Sequence, residues 1–290
     1  MIVLVTGGSG FLGTRFVRAA VSAGHDVRCV VRSEAAAAKV RANGGTPLPG
    51  DLDDSESLDA AFAAGSAEVL VNIASLGFGH ADAIVAAAEG AGVGRAVFVS
   101  TTAVTTSLPA PSKRVRLAAE QVVRDSGLDW TIVRPTMIYG AAGDRNIARL
   151  LQVLRRVPVL PVPGGGRRLQ QPVHVDDLAG ALLTAMASPV AVGKTYDVAG
   201  PRALTFRQLL EESGASVGRR VRLVPVPLRP CILALRVYER VARRPRLKAE
   251  QLERLSEDKA FDIGPAVEDL GYAPREFSDG VRAEAAEMSG

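Results

Sequence analysis

Aromatic residues are scarce in this sequence: phenylalanine, tryptophan and tyrosine together make up 4% of its 290 residues. Proteins that bind nucleic acids usually combine a basic surface with aromatic residues or a recognisable motif. Here the formal net charge is only +4, and much of the positive excess lies in the stretch LRVYERVARRPRLK (235–248). We therefore expect no nucleic-acid partner.

Cysteine is nearly absent as well. The two cysteines, Cys29 and Cys231, lie far apart in the sequence and lack the close spacing of metal ligands. Such a pair is typical of thiols in a reducing compartment and not of a disulfide framework. The sequence predicts neither a metal site nor redox chemistry carried by cysteine.

Long apolar runs are also missing. No stretch approaches the ~20 apolar residues that a membrane-spanning helix needs. The first residues, MIVLVTGG, lack the basic segment and the long apolar segment of a signal peptide. We expect a cytoplasmic protein without a transmembrane segment.

The first 135 residues alternate short apolar runs with alanine-rich segments of helical period. Strands that are apolar on both faces and separated by helices are typical of a parallel sheet covered on both sides. The sequence therefore predicts an α/β fold with a doubly wound parallel sheet, the Rossmann fold. The predicted strands are 2–5, 27–31, 46–48, 68–73, 95–100 and 130–133, and the predicted helices are 11–23, 34–43, 55–64, 81–91 and 112–127.

The alternation loosens after about residue 135. The segment LPVPGGGRRLQQP (160–172) contains three prolines and three consecutive glycines, which predict a loop or an irregular ribbon. The elements expected beyond it are a helix at 176–187, a strand near 195–200, and helices at 205–214, 229–243 and 247–257.

This pattern predicts two domains. The first is a dinucleotide-binding domain over 1–160, with further strand and helix contributions from about 172–200. The second is a smaller C-terminal α/β lobe over 201–290, which we expect to bind substrate.

A glycine-rich motif opens the first helix. VTGGSGFLG (5–13) places Gly7, Gly10 and Gly13 directly after the first strand. Glycines let the backbone turn tightly and approach a pyrophosphate, which then lies at the positive end of the helix. The motif predicts dinucleotide binding, with Phe11 and Leu12 beside the cofactor.

The end of the second strand favours one cofactor over the other. A carboxylate there would bind the ribose 2′-hydroxyl of NAD, whereas a basic residue suits the 2′-phosphate of NADP. The strand is followed by Arg32 and Ser33, and Glu34 falls beyond that position. Because an arginine can pair a phosphate bidentately, we expect NADP in preference to NAD.

Two further strand ends are candidates for the cofactor site. GDLDD (50–54) puts Asp51, followed by Leu52, where a carboxylate can accept from the adenine amino group. The small residues at the end of the fourth strand leave room for a flat cofactor, and they are Ile73, Ala74 and Ser75.

With these residues identified, the chain resembles the extended short-chain dehydrogenase/reductase superfamily, the NAD-dependent epimerase/dehydratase group. The matching motifs are TGGSGFLG, GDLDD, FVSTTAV, RPTMIYG, PVHVDDLA and LGYAP, in order through nearly the whole chain. The resemblance implies hydride exchange with a nicotinamide cofactor on a nucleotide sugar or a similar carbinol or carbonyl compound. It also adds Ser100, Pro135 and Ile138 to the residues expected to line the cofactor, and a homodimer is common among such proteins.

The tyrosine that transfers the proton in this family has no counterpart in the sequence. Its members use a tyrosine, with a lysine four residues later that lowers the tyrosine pKa, and a Ser or Thr that orients the substrate oxygen. Thr102 matches the Ser or Thr position. If Lys113 is the lysine, Pro109 stands at the tyrosine position; if Arg116 takes the lysine position, Ser112 stands there.

Residues elsewhere are the remaining candidates for acid–base work and for substrate binding. Tyr139, in RPTMIYG, is the best available phenol, but packing beneath the pocket is the more usual role at such a position, and a substrate group or water could then carry the proton. Arg145 and Asn146 follow on a loop and can bind a phosphate or carboxylate of the substrate. His174 is either a structural histidine or a substrate contact.

The sequence thus predicts an NADP-preferring oxidoreductase or epimerase, with Thr102, Lys113, Arg116 and Tyr139 as catalytic candidates. The alternative is a catalytically silent NADP(H)-binding sensor, chaperone or complex-accessory protein. The missing tyrosine favours that alternative, as does the basic segment 229–248, which can contact a partner or an anionic membrane surface.

Overall fold

The computed structural model describes residues 1–108, 111–141, 143–144, 146–241, 252 and 256–288. The described chain forms two compact units, and each is assembled from three separate segments. The first unit comprises 1–136, 175–198 and 262–273, and the second comprises 137–174, 199–261 and 274–290.

The first unit is built on a seven-stranded sheet in which every adjacent pair of strands is parallel. From one edge to the other the strand order is β11-β6-β5-β4-β1-β2-β3. The strands are β1 (Ile2–Thr6), β2 (Asp26–Val31), β3 (Thr46–Pro49), β4 (Val69–Asn72), β5 (Arg95–Val99), β6 (Asp129–Pro135) and β11 (Lys194–Val198).

Helices cover both faces of this sheet. Helix α1 packs on α7, while α3, α4 and α5 pack side by side on the other face. The helices of this unit are α1 (Phe11–Ser22), α2 (Glu34–Ala42), α3 (Ser55–Gly65), α4 (Ala81–Gly90), α5 (Pro111–Asp125), α7 (Val175–Ala187) and α10 (Gly264–Leu270). This arrangement confirms the predicted doubly wound parallel sheet.

The second unit combines short strand pairs with helices. Its pairs are β7 (Ile138–Tyr139) with β10 (Val173–His174), β8 (Val159–Pro163) with β13 (Arg222–Val226), and β9 (Leu169–Gln170) with β12 (Leu204–Thr205). Its helices are α6 (Ile147–Leu154), α8 (Phe206–Ser216), α9 (Leu228–Val241) and α11 (Phe277–Glu287). Tyr139, Leu151, Leu209 and Phe277 lie in its core.

The domain boundaries differ from the predicted ones. Residues 137–160 belong to the second unit, and 262–273 return to the first. The return is explained by α10, which packs on α7 and β11. Its Asp269 accepts hydrogen bonds from the Tyr196 hydroxyl and the Lys194 ammonium, both at 2.7 Å.

The predicted loop at 160–172 is partly wrong. Val159–Pro163 forms a strand that pairs in parallel with Arg222–Val226. Proline is tolerated on edge strands, and a two-stranded sheet has only edges, so Pro161 and Pro163 do not prevent the pairing. The helix predicted over 247–257 lies almost entirely outside the described residues.

Among the described helices, none combines the length and the apolar character needed to cross a membrane.

Candidate functional site

The glycine-rich turn joins β1 to α1 with very little space around it. Gly7 has a φ of +74°, and a Cβ there would lie 2.7 Å from the backbone nitrogen of Ala74. A Cβ on Gly13 would lie 2.1 Å from the carbonyl oxygen of Gly7. Helix α1 starts after Gly10 without a side-chain cap, so no side chain occupies its first amide N–H groups. These features fit the pyrophosphate of a dinucleotide.

The neighbouring strand end is fixed by a buried amide. The Thr6 hydroxyl donates to Asn72 Oδ1 at 2.5 Å, and Asn72 Nδ2 donates to the carbonyl oxygen of Ala74 at 3.1 Å. This pair ties the ends of β1 and β4 together beside Gly7. The predicted cofactor residues Ile73, Ala74 and Ser75 therefore lie directly beside the glycine turn, and Ser75 caps the following turn by accepting from the amide of Gly77.

A pocket of about 410 Å³ opens at the carboxyl end of β2. Arg32, Ser33, Arg41 and Asp51 line it. Ser33 caps α2 by accepting from the amide of Ala36, and Arg41 pairs with Glu34 at 2.5 Å. Among the described residues Arg32 has no ion pair, so its guanidinium is available to an anionic ligand. The structure thus brings three predicted cofactor residues, Arg32, Ser33 and Asp51, to one pocket.

The end of β5 carries two of the predicted hydroxyls, and both are engaged. Thr102 is 7% exposed and donates to the carbonyl oxygen of Pro135 at 3.3 Å. Ser100 donates to Glu120 at 2.6 Å. Leu52, another predicted cofactor residue, packs partly buried against the core of the sheet.

Helix α5 presents a hydroxyl and a guanidinium on adjacent turns. Nη1 of Arg116 donates to Oγ of Ser112 at 2.9 Å, and both side chains are half-buried. The guanidinium of Arg116 also lies against Gly77, where a Cβ would come within 3.1 Å of it. Lys113 instead donates from Nζ to the carbonyl oxygen of Thr106 at 2.5 Å. The Ser112–Arg116 pair therefore lies beside the turn that follows β4.

A buried charge cluster supports this helix. Glu120 is fully buried and accepts hydrogen bonds from Ser100, Arg124 and Arg134. Burial alone would raise the pKa of Glu120, but the hydrogen bonds from Arg134, Ser100 and Arg124 outweigh it and hold the pKa below its usual value. Burial and the nearby Glu120 raise the pKa of Asp197, which lies near Arg134.

In the second unit, Tyr139 is a core residue. It is 1% exposed, its ring meets the ring of His174 edge-on at 5.3 Å, and it packs on Phe277 at 5.0 Å. A Cβ on Gly280 would lie 2.3 Å from the Tyr139 hydroxyl. These contacts favour the packing role for Tyr139 and a structural role for His174. Ile138 precedes Tyr139 on the same strand and is half-buried.

The loop before α6 is organised by Asp144. Its carboxylate accepts from the amides of Asn146, at 2.6 Å, and of Ile147, at 2.7 Å. Asn146 is exposed at the start of α6. Arg145, a predicted substrate residue, lies outside the described residues.

Several residues of the site were not identified from the sequence. Asn72, Glu120 and Arg134 matter only because strands distant in sequence bring their partners to them. Gly8 is another case, since a Cβ there would lie 2.7 Å from Sγ of Cys29. For Gly8, the dense spacing of glycines after β1 is the only signal that the sequence offers.

The parallel sheet and the glycine turn between β1 and α1 are the features of a dinucleotide-binding α/β protein. The match to a family model described as NAD(P)H-binding covers residues 7–156. The chain belongs to this NAD(P)H-binding family, and the predicted resemblance to the extended short-chain dehydrogenase/reductase superfamily is confirmed. The cofactor is therefore NAD(P).

Similar proteins include both reductases and epimerases. A 4-hydroxy-2-methyl-3-oxo-4-farnesyl-3,4-dihydroquinoline-1-oxide ketoreductase of Stigmatella aurantiaca is 30% identical over 95% of this chain and 92% of its own. A ceramide reductase of Caulobacter vibrioides is 31% identical over 78% of this chain and 74% of its own. The solved structure of a UDP-glucose 4-epimerase from Thermotoga maritima has the same fold, with a TM-score of 0.78, 18% identity and coverage of 100% and 99%.

Proposed function

We propose that this chain is an NADPH-dependent carbonyl reductase. The observation that carries the proposal is the Ser112–Arg116 pair of α5, which offers a hydrogen-bond donor in the helix where the family carries its tyrosine and lysine. The glycine turn and the Arg32 pocket hold the cofactor in this proposal.

The preference for NADPH rests on Arg32. The 2′-phosphate of NADP is the chemical feature that distinguishes it from NAD, and an arginine binds a phosphate with two parallel hydrogen bonds. Arg32 lines a pocket whose other cation, Arg41, is already paired with Glu34. The pocket contains no carboxylate directly after β2 that would favour a free ribose hydroxyl.

The reduction needs a donor at the carbonyl oxygen. When bound, the reduced nicotinamide supplies the hydride to the carbonyl carbon. The oxygen then gains negative charge, and a preorganised donor beside it lowers the barrier. Because a guanidinium has only donors, Oγ of Ser112 accepts from Arg116 and keeps its own hydrogen for a substrate oxygen. The proton that completes the alcohol comes from water.

Lys113 has a different role in this proposal. Its ammonium donates to the carbonyl oxygen of Thr106, which leaves further hydrogens for the nicotinamide ribose. Thr102, which is buried and bonded to Pro135, stabilises the end of β5 and does not orient the substrate.

The substrate class is suggested by the named relatives. Two of them, at 30% and 31% identity, are reductases whose names specify a farnesyl-bearing oxo compound and a ceramide. Both compounds carry long apolar chains. We propose a carbonyl compound with an apolar chain, in preference to a nucleotide sugar, since the epimerase likeness at 18% identity supports the fold alone.

The experiment is a titration followed by a turnover assay. Thermal-shift titrations with NADPH and NADH are expected to show stronger stabilisation by NADPH. NADPH oxidation is then measured with a panel of long-chain ketones, β-keto esters, short ketones and sugar nucleotides. Turnover of the long-chain carbonyl compounds supports the proposal, and turnover of sugar nucleotides alone contradicts it.

The competing function is a silent NADP(H)-binding protein. The burial of Tyr139 favours it, because no phenol is then available at the site for proton transfer. NADPH binding without turnover of any carbonyl compound in the panel would support this second function.

A further inference from the structure

We propose that helix α9 (Leu228–Val241) docks the protein on an anionic lipid bilayer. Two exposed apolar side chains enter the interface and a row of arginines beside them binds the lipid phosphates. This surface is defined here as Arg229, Leu233, Arg236, Val237 and Arg240. The inference does not depend on the proposed reductase activity.

The helix has two different faces. Leu228, Ile232 and Leu235 follow a helical period and are half-buried, so they form the less exposed face of the helix. Leu233 and Val237, four residues apart, are 65% and 52% exposed. These two side chains therefore form an exposed apolar strip along the helix.

The cations lie directly beside these apolar residues. Arg236 and Arg240 are four residues apart, and Arg229 is two turns before Arg236, so the three form one row along the helix. All three are exposed. Arg236 is three residues from Leu233, and Arg240 is three residues from Val237, which places the row at the edge of the apolar strip. The single acidic residue of the helix, Glu239, is half-buried on the other face.

This distribution of charge favours a lipid surface over a second copy of the chain. Two copies meeting through this face would bring two arginine rows together, and like charges repel each other. An anionic bilayer offers both requirements at once: phosphates for the guanidinium groups and an acyl boundary about 5–10 Å below for the apolar side chains. Arginine side chains can also extend to the headgroups while their stems cover apolar surface.

The test is co-sedimentation of the full chain with vesicles, without cofactor or substrate. Vesicles of equimolar phosphatidylglycerol and phosphatidylcholine are expected to bind the protein, and vesicles of phosphatidylcholine alone are not. Binding is expected to fall in about 1 M salt, where the Debye length is about 3 Å. Because no turnover is measured, failure here is distinct from failure of the proposed reductase activity.

Two pairs of variants examine the two parts of the surface. R229Q/R240Q is expected to weaken binding about 30-fold, since each basic residue near the bilayer contributes about fivefold. L233Q/V237Q is expected to weaken binding to the anionic vesicles and to leave only the salt-sensitive attraction of the arginine row. The matched control R219Q/R220Q removes the same charge from exposed positions outside α9 and is expected to bind within about threefold of the parent, a difference set by its net charge alone.

Three results would overturn the proposal. One is the absence of binding to the anionic vesicles, and another is an equal loss in R219Q/R220Q and R229Q/R240Q. The third is a dimer in sedimentation equilibrium that L233Q/V237Q dissociates, which would assign this face to a second copy of the chain. Circular dichroism of each variant shows whether it has kept its fold.

Discussion

Arg116 holds the hydroxyl of Ser112 from one helical turn away, with 2.9 Å between Nη1 and Oγ. The pair has the spacing of the family's tyrosine and lysine, with a shorter hydroxyl and a more extended cation. If the Ser112 hydroxyl donates to the substrate oxygen, S112A is expected to lower kcat about 100-fold, as the loss of one such donor does in other enzymes. KM for NADPH should stay unchanged, and S112T should recover part of kcat. An unchanged kcat in S112A would rule out this role.

Helix α5 also allows a test of the two possible alignments with the family, in which either Arg116 or Lys113 takes the lysine position. S112Y/R116K installs a tyrosine and a lysine four residues apart at the observed pair, and P109Y installs a tyrosine four residues before Lys113. We expect S112Y/R116K to reduce carbonyl substrates with a new ionisation in its pH profile, because a phenol beside an ammonium titrates nearer neutrality. A gain in P109Y alone would assign the site to Lys113.

The glycine turn is expected to tolerate no side chain at Gly13. A methyl group there would lie 2.1 Å from the carbonyl oxygen of Gly7, so G13A must displace α1 from the turn. Isothermal titration calorimetry should show loss of NADPH binding by at least about 100-fold, because the backbone can no longer approach the pyrophosphate. G90A is the control: Gly90 ends α4 with open space around it, and its substitution should leave binding unchanged.

Arg32 is expected to distinguish the two cofactors. R32A should raise the Kd for NADPH about 10- to 100-fold, the range for a charge-assisted hydrogen bond, and should leave the Kd for NADH nearly unchanged. Calorimetric titrations of both cofactors measure this. K39A, an exposed lysine on the neighbouring helix, is the control. Equal losses for NADPH and NADH in R32A would show that Arg32 does not contact the 2′-phosphate.

Glu120 is expected to be important for stability. E120A leaves Arg134 and Arg124 without their carboxylate, and breaking a buried pair typically costs about 3–5 kcal/mol. Urea denaturation should show a loss of this size, whereas E211A, which removes an exposed pair with Arg207, should cost less than about 1 kcal/mol. Since the pKa of Glu120 is lowered in the fold, its contribution is present at neutral pH and is lost as the pH falls through that pKa.

The raised pKa of Glu284 predicts the opposite dependence of folding stability on pH. Burial, the nearby Asp144 carboxylate and Glu287 raise its pKa from 4.5 to about 8, although the amide of Gly140 lowers it. Between these two values the folded chain holds a proton that the unfolded chain has lost. Stability therefore falls with rising pH, by about 1 kcal/mol per pH unit. E284Q should remove this slope in denaturation curves at several pH values between 5 and 8, while E268Q, at an exposed position on α10, should retain it.

The sheet could be predicted from sequence because its signals are local. Each parallel strand is a short run of apolar residues, and the glycines of the turn all lie within one nine-residue stretch, VTGGSGFLG (5–13). Arg32 and Asp51 could be placed at strand ends for the same reason. Each of these inferences needs only the period of the pattern and the direction of the chain.

Other features depend on distant pairings that no local pattern contains. Glu120 looks like a solvated charge on a helix, and only the return of β6 brings Arg134 to it. Val159–Pro163 looks like a loop because its prolines remove donors, and its partner strand lies about 60 residues later. Tyr139 was a reasonable candidate phenol by position, but the sequence does not show that Gly280 and Phe277 enclose it.

The assembly of the first unit from three segments has a consequence for biosynthesis. Strand β11 and helix α7 leave the ribosome only after 137–174 have been made, and the segment 262–273, which contains α10, follows only after the 63 residues of 199–261. Until β11 and α7 have been made, β6 is an open edge strand and α1 lacks the helix it packs on. The edge of the nascent sheet at β6 can therefore pair with other chains until residue 198 has been made. Fragments that stop before residue 194 are expected to need a chaperone or to aggregate.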